Sequence, residues 1–155
     1  MSAGERARAE RALLELEALR HLRGRRRRPT RYHARAVMIP LGLLILAEGE
    51  AAVRPLLRRL AAAVEPERAS WEAAVAEELS LACAEHVHGA DPRYLGHQSF
   101  DLEYLVAARE RLEARLVAAR ALDLWPSEAL LCAVAEADAR VAPFLRAGGR
   151  SSEPG

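Results

Sequence analysis

Starting at Trp71, the apolar side chains return at Val75, Leu79, Ala82, Cys83 and His86, in steps of four, four, three, one and three. This is the 3.6-residue period of an α-helix with one buried face, and a strand's simple alternation does not produce it. Gly89 and the Asp91-Pro92 pair then stop the helix. The same period recurs along the chain. Leu13, Leu16 and Leu19 mark a first helix over residues 5–22, closed by Gly24. Val53, Leu56, Leu57, Leu60 and Val64 form a second stripe, closed at Pro66. A later helix carries Leu105, Leu112, Leu116 and Ala119, extended by Leu102 and Val106, with Ser99 or Asp101 as its cap. The last stripe is Leu130, Val134, Ala137, Val141 and Leu145 behind a Ser127 cap; Pro143 weakens its end, which makes residues 148–155 a disordered tail.

Residues 30–64 are more ambiguous. Thr30 caps a helix there, but Pro40 removes a backbone donor and predicts a kink or break over residues 36–40, while Gly42 and Gly49 loosen the segment further. The expectation is one bent helix or two consecutive ones.

Strands lack the material to compete. Val, Ile and Thr together number 12 of 155 residues, whereas Ala, Leu, Arg and Glu supply 98. The fold class is therefore all-α. Short connections make sequential helices neighbours, so the expected architecture is an antiparallel bundle of five to six helices in a single domain over residues 1–147, with no internal repeat. A chain of this length buries a sufficient core without a metal or disulfide.

The longest apolar run, residues 36–47, has twelve residues and falls short of the roughly 20 a membrane span needs. It reads as a buried helix, with no membrane association. The amino terminus mixes Glu and Arg and lacks the apolar run of a secretory signal. Cys83 and Cys132 fall inside expected helices as small core residues, which points to a reducing, cytoplasmic setting.

Charge divides the chain. Residues 1–64 hold 14 Arg against 6 acids, and residues 65–155 hold 9 Arg against 16 acids, so a net charge of +1 hides a basic half and an acidic half. Such halves neutralise each other on packing, associate head to tail, or attract a charged partner. The basic density peaks at residues 20–35, where Arg20, Arg23, Arg25, Arg26, Arg27, Arg28, Arg31 and Arg35 occur with no acid, and Tyr32 is placed to stack on a base. Fixed guanidinium groups suit phosphate or carboxylate. The competing reading is a solvated connector that offsets the acidic half. Arg is the chain's only cation besides His, which discounts any argument from the choice of Arg over Lys.

A second candidate is the stretch EHVHGADPRYLGHQSFD, which holds three of the five histidines. Cys83, His86 and His97 with Asp91 have the donor types of a tetrahedral zinc site, provided the loop folds back. Glu85 and His88 form a Glu-x-x-His unit of the kind that holds iron in carboxylate bundles, but only one copy is present and it falls at a helix end. Against both, His86 continues the core stripe while His88 and His97 read as solvated. No nucleophile elbow or phosphate-cradling loop occurs, and no catalytic residue is assigned.

These features converge on a non-catalytic helical interaction or assembly subunit without a cofactor. Residues 20–35 are its contact surface, toward a protein partner or a second copy. The alternatives are a nucleic-acid or other polyanion binder using the same arginines, and a metal-binding helical enzyme or sensor using Cys83, Glu85, His86, His88 and His97.

Overall fold

The computed structural model describes residues 2–19, 28–97 and 100–151. The apolar run belongs to α2 (Arg31–Glu48), which packs against α1 (Ser2–Ala18), α3 (Glu50–Val64), α4 (Arg68–Gly89) and α5 (Leu102–Ala121). A helix touched by four others needs apolar residues around most of its circumference, and Ala34, Val37, Met38, Pro40, Leu41, Gly42 and Leu44 are all buried. The last helix, α6 (Glu128–Ser151), packs on α4, and a 3-10 turn at Glu65–Glu67 joins α3 to α4. The result is the expected all-α bundle. Among the described residues there is no strand, and no helix is long and apolar enough to cross a membrane.

The periodic stripes line the core. Leu13, Leu16, Leu60, Trp71, Val75, Leu79, Cys83, His86, Leu112 and Leu116 are all buried. Thr30 caps α2, its backbone N–H donating to His33 Nδ1 at 3.0 Å. Asp101 caps α5 by accepting from the Tyr104 N–H at 3.0 Å, and Ser127 Oγ accepts from the Leu130 N–H at 3.2 Å at the start of α6. The Ser99 alternative lies outside the described residues.

Several local expectations are corrected. Residues 30–64 are two helices, and the break falls at Gly49, whose φ of 89° favours glycine, not at residues 36–40. The helix runs through Pro40, because packing on four neighbours offsets the local cost of a lost backbone bond. Gly42 does not loosen α2: a Cβ there would meet the Ala114 carbonyl oxygen at 1.8 Å, so the glycine is what lets the α2 and α5 backbones touch. The first helix ends at Ala18. Cys132 is exposed, since it stands two residues from both Leu130 and Val134 and so faces away from their stripe. Leu145 is also exposed. Phe144 takes the inward position, with its ring 5.7 Å from that of Phe100. Finally, α6 runs through Pro143 to Ser151 without the weakened end expected there, and residues 152–155 of the expected tail lie outside the described residues.

Candidate functional site

The Arg-rich segment enters the described structure only at its end. Arg20, Arg23, Arg25, Arg26 and Arg27 lie outside the described residues; Arg28, Tyr32 and Arg35 are exposed. Arg31 behaves differently, because its guanidinium reaches the acidic half, 3.7 Å from Glu78 Oε2 and 4.0 Å from Glu77 Oε1. It also lies 5.2 Å from the Tyr32 ring centroid. Arg31 thus offsets acidic charge inside the bundle, while Tyr32, 72 % exposed, presents its ring to solvent.

Tyr32 and Arg35 line a cleft of about 390 Å³ between α1 and α2, together with Arg8, Arg11 and Glu15. Its walls are apolar, from Ala12, Ala36, Ile39 and Pro40. Arg8 is held by Glu5 at 2.9 Å, whereas Arg11 and Arg35 pair with no carboxylate among the described residues. Sequence reasoning missed Arg8 and Arg11. Their three-residue step does place them on one face of α1, but only the fold brings that face beside Tyr32 and Arg35.

The histidine stretch divides into separate environments. Cys83 and His86 are buried, Glu85, His88 and His97 are exposed, and no three His, Cys, Asp or Glu side chains among the described residues are grouped to hold a metal ion. α4 carries Cys83 and His86 on its buried face, whereas Asp91 and His97 sit on the loop that follows it. Burial pushes the Cys83 thiol up to about 11, against the opposing pull of Arg109 and Arg115. Asp91 is occupied by Arg93, whose Nη2 donates to Oδ2 at 2.9 Å, and that hydrogen bond draws its pKa down to about 2. The His97 backbone closes the loop, donating to Tyr94 O at 3.1 Å and accepting from the Phe100 N–H at 2.9 Å.

Two charged networks cross the bundle, and the sequence did not reveal either. His86 Nε2 lies 2.7 Å from Asp138 Oδ1, and Arg109 grips the same carboxylate with Nε and Nη2 at 2.9 and 3.0 Å while its Nη1 reaches Glu113 at 3.0 Å. His86 Nδ1 is buried without a hydrogen-bond partner, so Nε2 is the ring nitrogen that meets the carboxylate. This network ties α4, α5 and α6 together. Deeper in the core, Arg115 Nε donates to Glu78 Oε1 at 2.9 Å, and both residues are at most 5 % exposed. The available signal was a charged residue set among core positions: Arg115 beside Leu116, Glu78 beside Leu79, Asp138 beside Ala137.

Asp138 makes the bundle pH-sensitive. Burial acts to raise its pKa, but the hydrogen bonds from Arg109 and His86 outweigh burial and hold it below the ordinary 3.8. The stabilisation is therefore complete above that ordinary value and is lost as the pH falls through the lower native one. In urea unfolding, Asp138→Asn will cost about 1 kcal/mol at neutral pH after allowing for solvent screening. That deficit will shrink toward zero as the wild-type carboxylate protonates; a deficit constant down to strongly acidic pH contradicts the ion pair.

The two concave features near the notable sequence stretches are thus the Arg-lined α1–α2 cleft and a smaller one beside Glu85 and His88, lined also by Tyr94 and Tyr104. In comparisons with known proteins, no family model, no curated protein and no solved structure matches this chain, so its function is argued from this geometry alone.

Proposed function

We propose that the chain is a non-catalytic helical interaction subunit whose basic edge, the α1–α2 cleft together with residues 20–35, docks an acidic protein surface. The observation that carries this reading is the cleft itself: Arg8, Arg11 and Arg35 surround apolar walls and an exposed Tyr32. Protein interfaces combine apolar centres with Arg and Tyr anchors, and this cleft has that composition. The apolar walls favour a protein over a nucleic acid, because a phosphate backbone has no apolar surface to bury against Ala12, Ile39 and Pro40. A second reading, nucleic-acid binding, draws support from the solvent-facing Tyr32 ring as a stacking platform.

Titration with polyglutamate, a stand-in for an acidic protein surface, and with a mixed-sequence single-stranded oligonucleotide separates the two. The protein-docking reading expects salt-sensitive polyglutamate binding that Tyr32→Ala weakens through lost apolar contact, with the oligonucleotide bound no more tightly. Preference for the oligonucleotide, abolished by Tyr32→Ala, establishes the second reading instead. Binding of neither polymer at low salt contradicts both.

A further inference from the structure

A second cleft, of about 340 Å³, opens where α4 and α5 meet Tyr94 and Phe100 from the connection between them. It has the size of a small-molecule site. The rings of Tyr94, Phe100 and Tyr104 line it with the carboxylates of Glu85 and Asp101, and the His88 imidazole, also in the lining, packs 5.3 Å from the Tyr94 ring and leaves Tyr104 as the more open face. The chain contains 23 arginines, yet neither Glu85 nor Asp101 forms an ion pair among the described residues. Glu85 is instead oriented by a neutral donor: the Tyr104 hydroxyl donates to its Oε1 at 2.6 Å. Asp101 spends Oδ1 on the Tyr104 backbone N–H. Each carboxylate keeps a second oxygen for a ligand.

Aromatic faces and carboxylates that converge on one cavity recognise cations, because the ring quadrupole and the negative charge attract the same ligand head while the rings shed its water. One ring already shows this preference, since the Arg93 guanidinium lies 5.9 Å from the centroid of Tyr94. Arg93 is itself matched by Asp91, so it leaves Glu85 and Asp101 uncompensated.

We propose that this cleft binds a small organic ammonium ligand, with its cationic head against the Tyr94 and Tyr104 rings and the Glu85 carboxylate. The Glu85 hydrogen bond is the main cause that raises the Tyr104 pKa, which keeps the hydroxyl protonated as the donor this arrangement needs. Arg35 and Arg111 act on Tyr104 in the opposite sense and disfavour a cation. Selectivity therefore depends on the carboxylates. This site uses neither the α1 face nor Tyr32, so it stands or falls separately from the basic edge.

The test is an NMR titration of the full chain with choline, with n-butylammonium, and with 3,3-dimethylbutan-1-ol, the neutral isostere of choline. Either cation is expected to shift resonances of Tyr94 and Tyr104 with a dissociation constant of about 1 mM or tighter. The neutral isostere should bind at least tenfold more weakly. Glu85→Gln, a change at an exposed position, should reduce cation binding by about tenfold, and Tyr104→Phe, which keeps the ring, should reduce it less. The proposal is overturned if neither cation perturbs the cleft at about 10 mM. It is also overturned if the neutral isostere binds equally well, or if Glu85→Gln leaves the affinity unchanged.

Discussion

Replacing Gly42 with alanine will destabilise the bundle by about 3 kcal/mol or more, although the same change raises intrinsic helix propensity by about 1 kcal/mol. The added methyl would sit 1.8 Å from the Ala114 carbonyl oxygen and 2.4 Å from its carbon. Those are backbone atoms, and no rotamer change relieves them. α2 and α5 would have to separate, which opens the core around Leu41, Leu44 and Leu112, residues no more than 1 % exposed. For a domain of this size the melting temperature should fall by roughly 6–12 °C. Gly4, in α1 with nothing within 4 Å of its would-be Cβ, is the internal control. Gly4→Ala should stabilise by up to about 1 kcal/mol. Opposite signs for the two substitutions in parallel thermal unfolding would establish the close approach; a neutral or stabilising Gly42→Ala would refute it.

Arg115→Met will cost about 3–5 kcal/mol, the largest effect expected from removing one polar group here. Glu78 is 2 % exposed and, among the described residues, would keep only Arg31, 3.7 Å from Oε2, as an ion-pair partner. Oε2 already lacks a hydrogen bond. Loss of the 2.9 Å contact to Oε1 would leave a buried carboxylate without a direct donor. The single-variant loss measures that unpaired charge and not the worth of the pair, because burying two charges costs nearly what their attraction returns. The double variant Glu78→Leu/Arg115→Met should accordingly recover most of the stability. In urea unfolding, a double variant as unstable as the single one would show that the pair contributes net stability; a harmless Arg115→Met would show that Glu78 is not held as described.

The residues differ in how far they could be read without coordinates. Stripes such as Trp71, Val75, Leu79 and Cys83 were legible because burial of a helix face imposes a period on the chain itself. His86 was legible for the same reason, as a continuation of that face. Gly42 was misread because helix propensity is a local property, whereas its role depends on Ala114, 72 positions away in sequence and adjacent only in the fold. The partners Glu78 and Arg115, 37 residues apart, present the same difficulty. Each looks like a polar interruption of a core stripe until its opposite charge is brought across. The basic edge was half legible. The arginines of residues 20–35 stand out by density, but Arg8 and Arg11 came beside Tyr32 and Arg35 only when α1 folded against α2. Arg31, counted with that edge, turned inward to Glu77 and Glu78 because the acidic half packs within its reach.

Docking through the basic edge is tested most directly by reversing its charge. Affinities for polyglutamate and polylysine should be measured at low salt for the unaltered chain and for the Arg8→Glu, Arg11→Glu, Arg35→Glu triple variant. Arg8, Arg11 and Arg35 are exposed, so the fold should tolerate the changes, which circular dichroism and thermal unfolding would check. The expected result is at least about a tenfold loss of polyglutamate affinity, from three exposed ion pairs of roughly 0.5 kcal/mol each, with a gain in polylysine binding. An unchanged polyglutamate affinity in the folded variant would contradict the cleft as the contact surface.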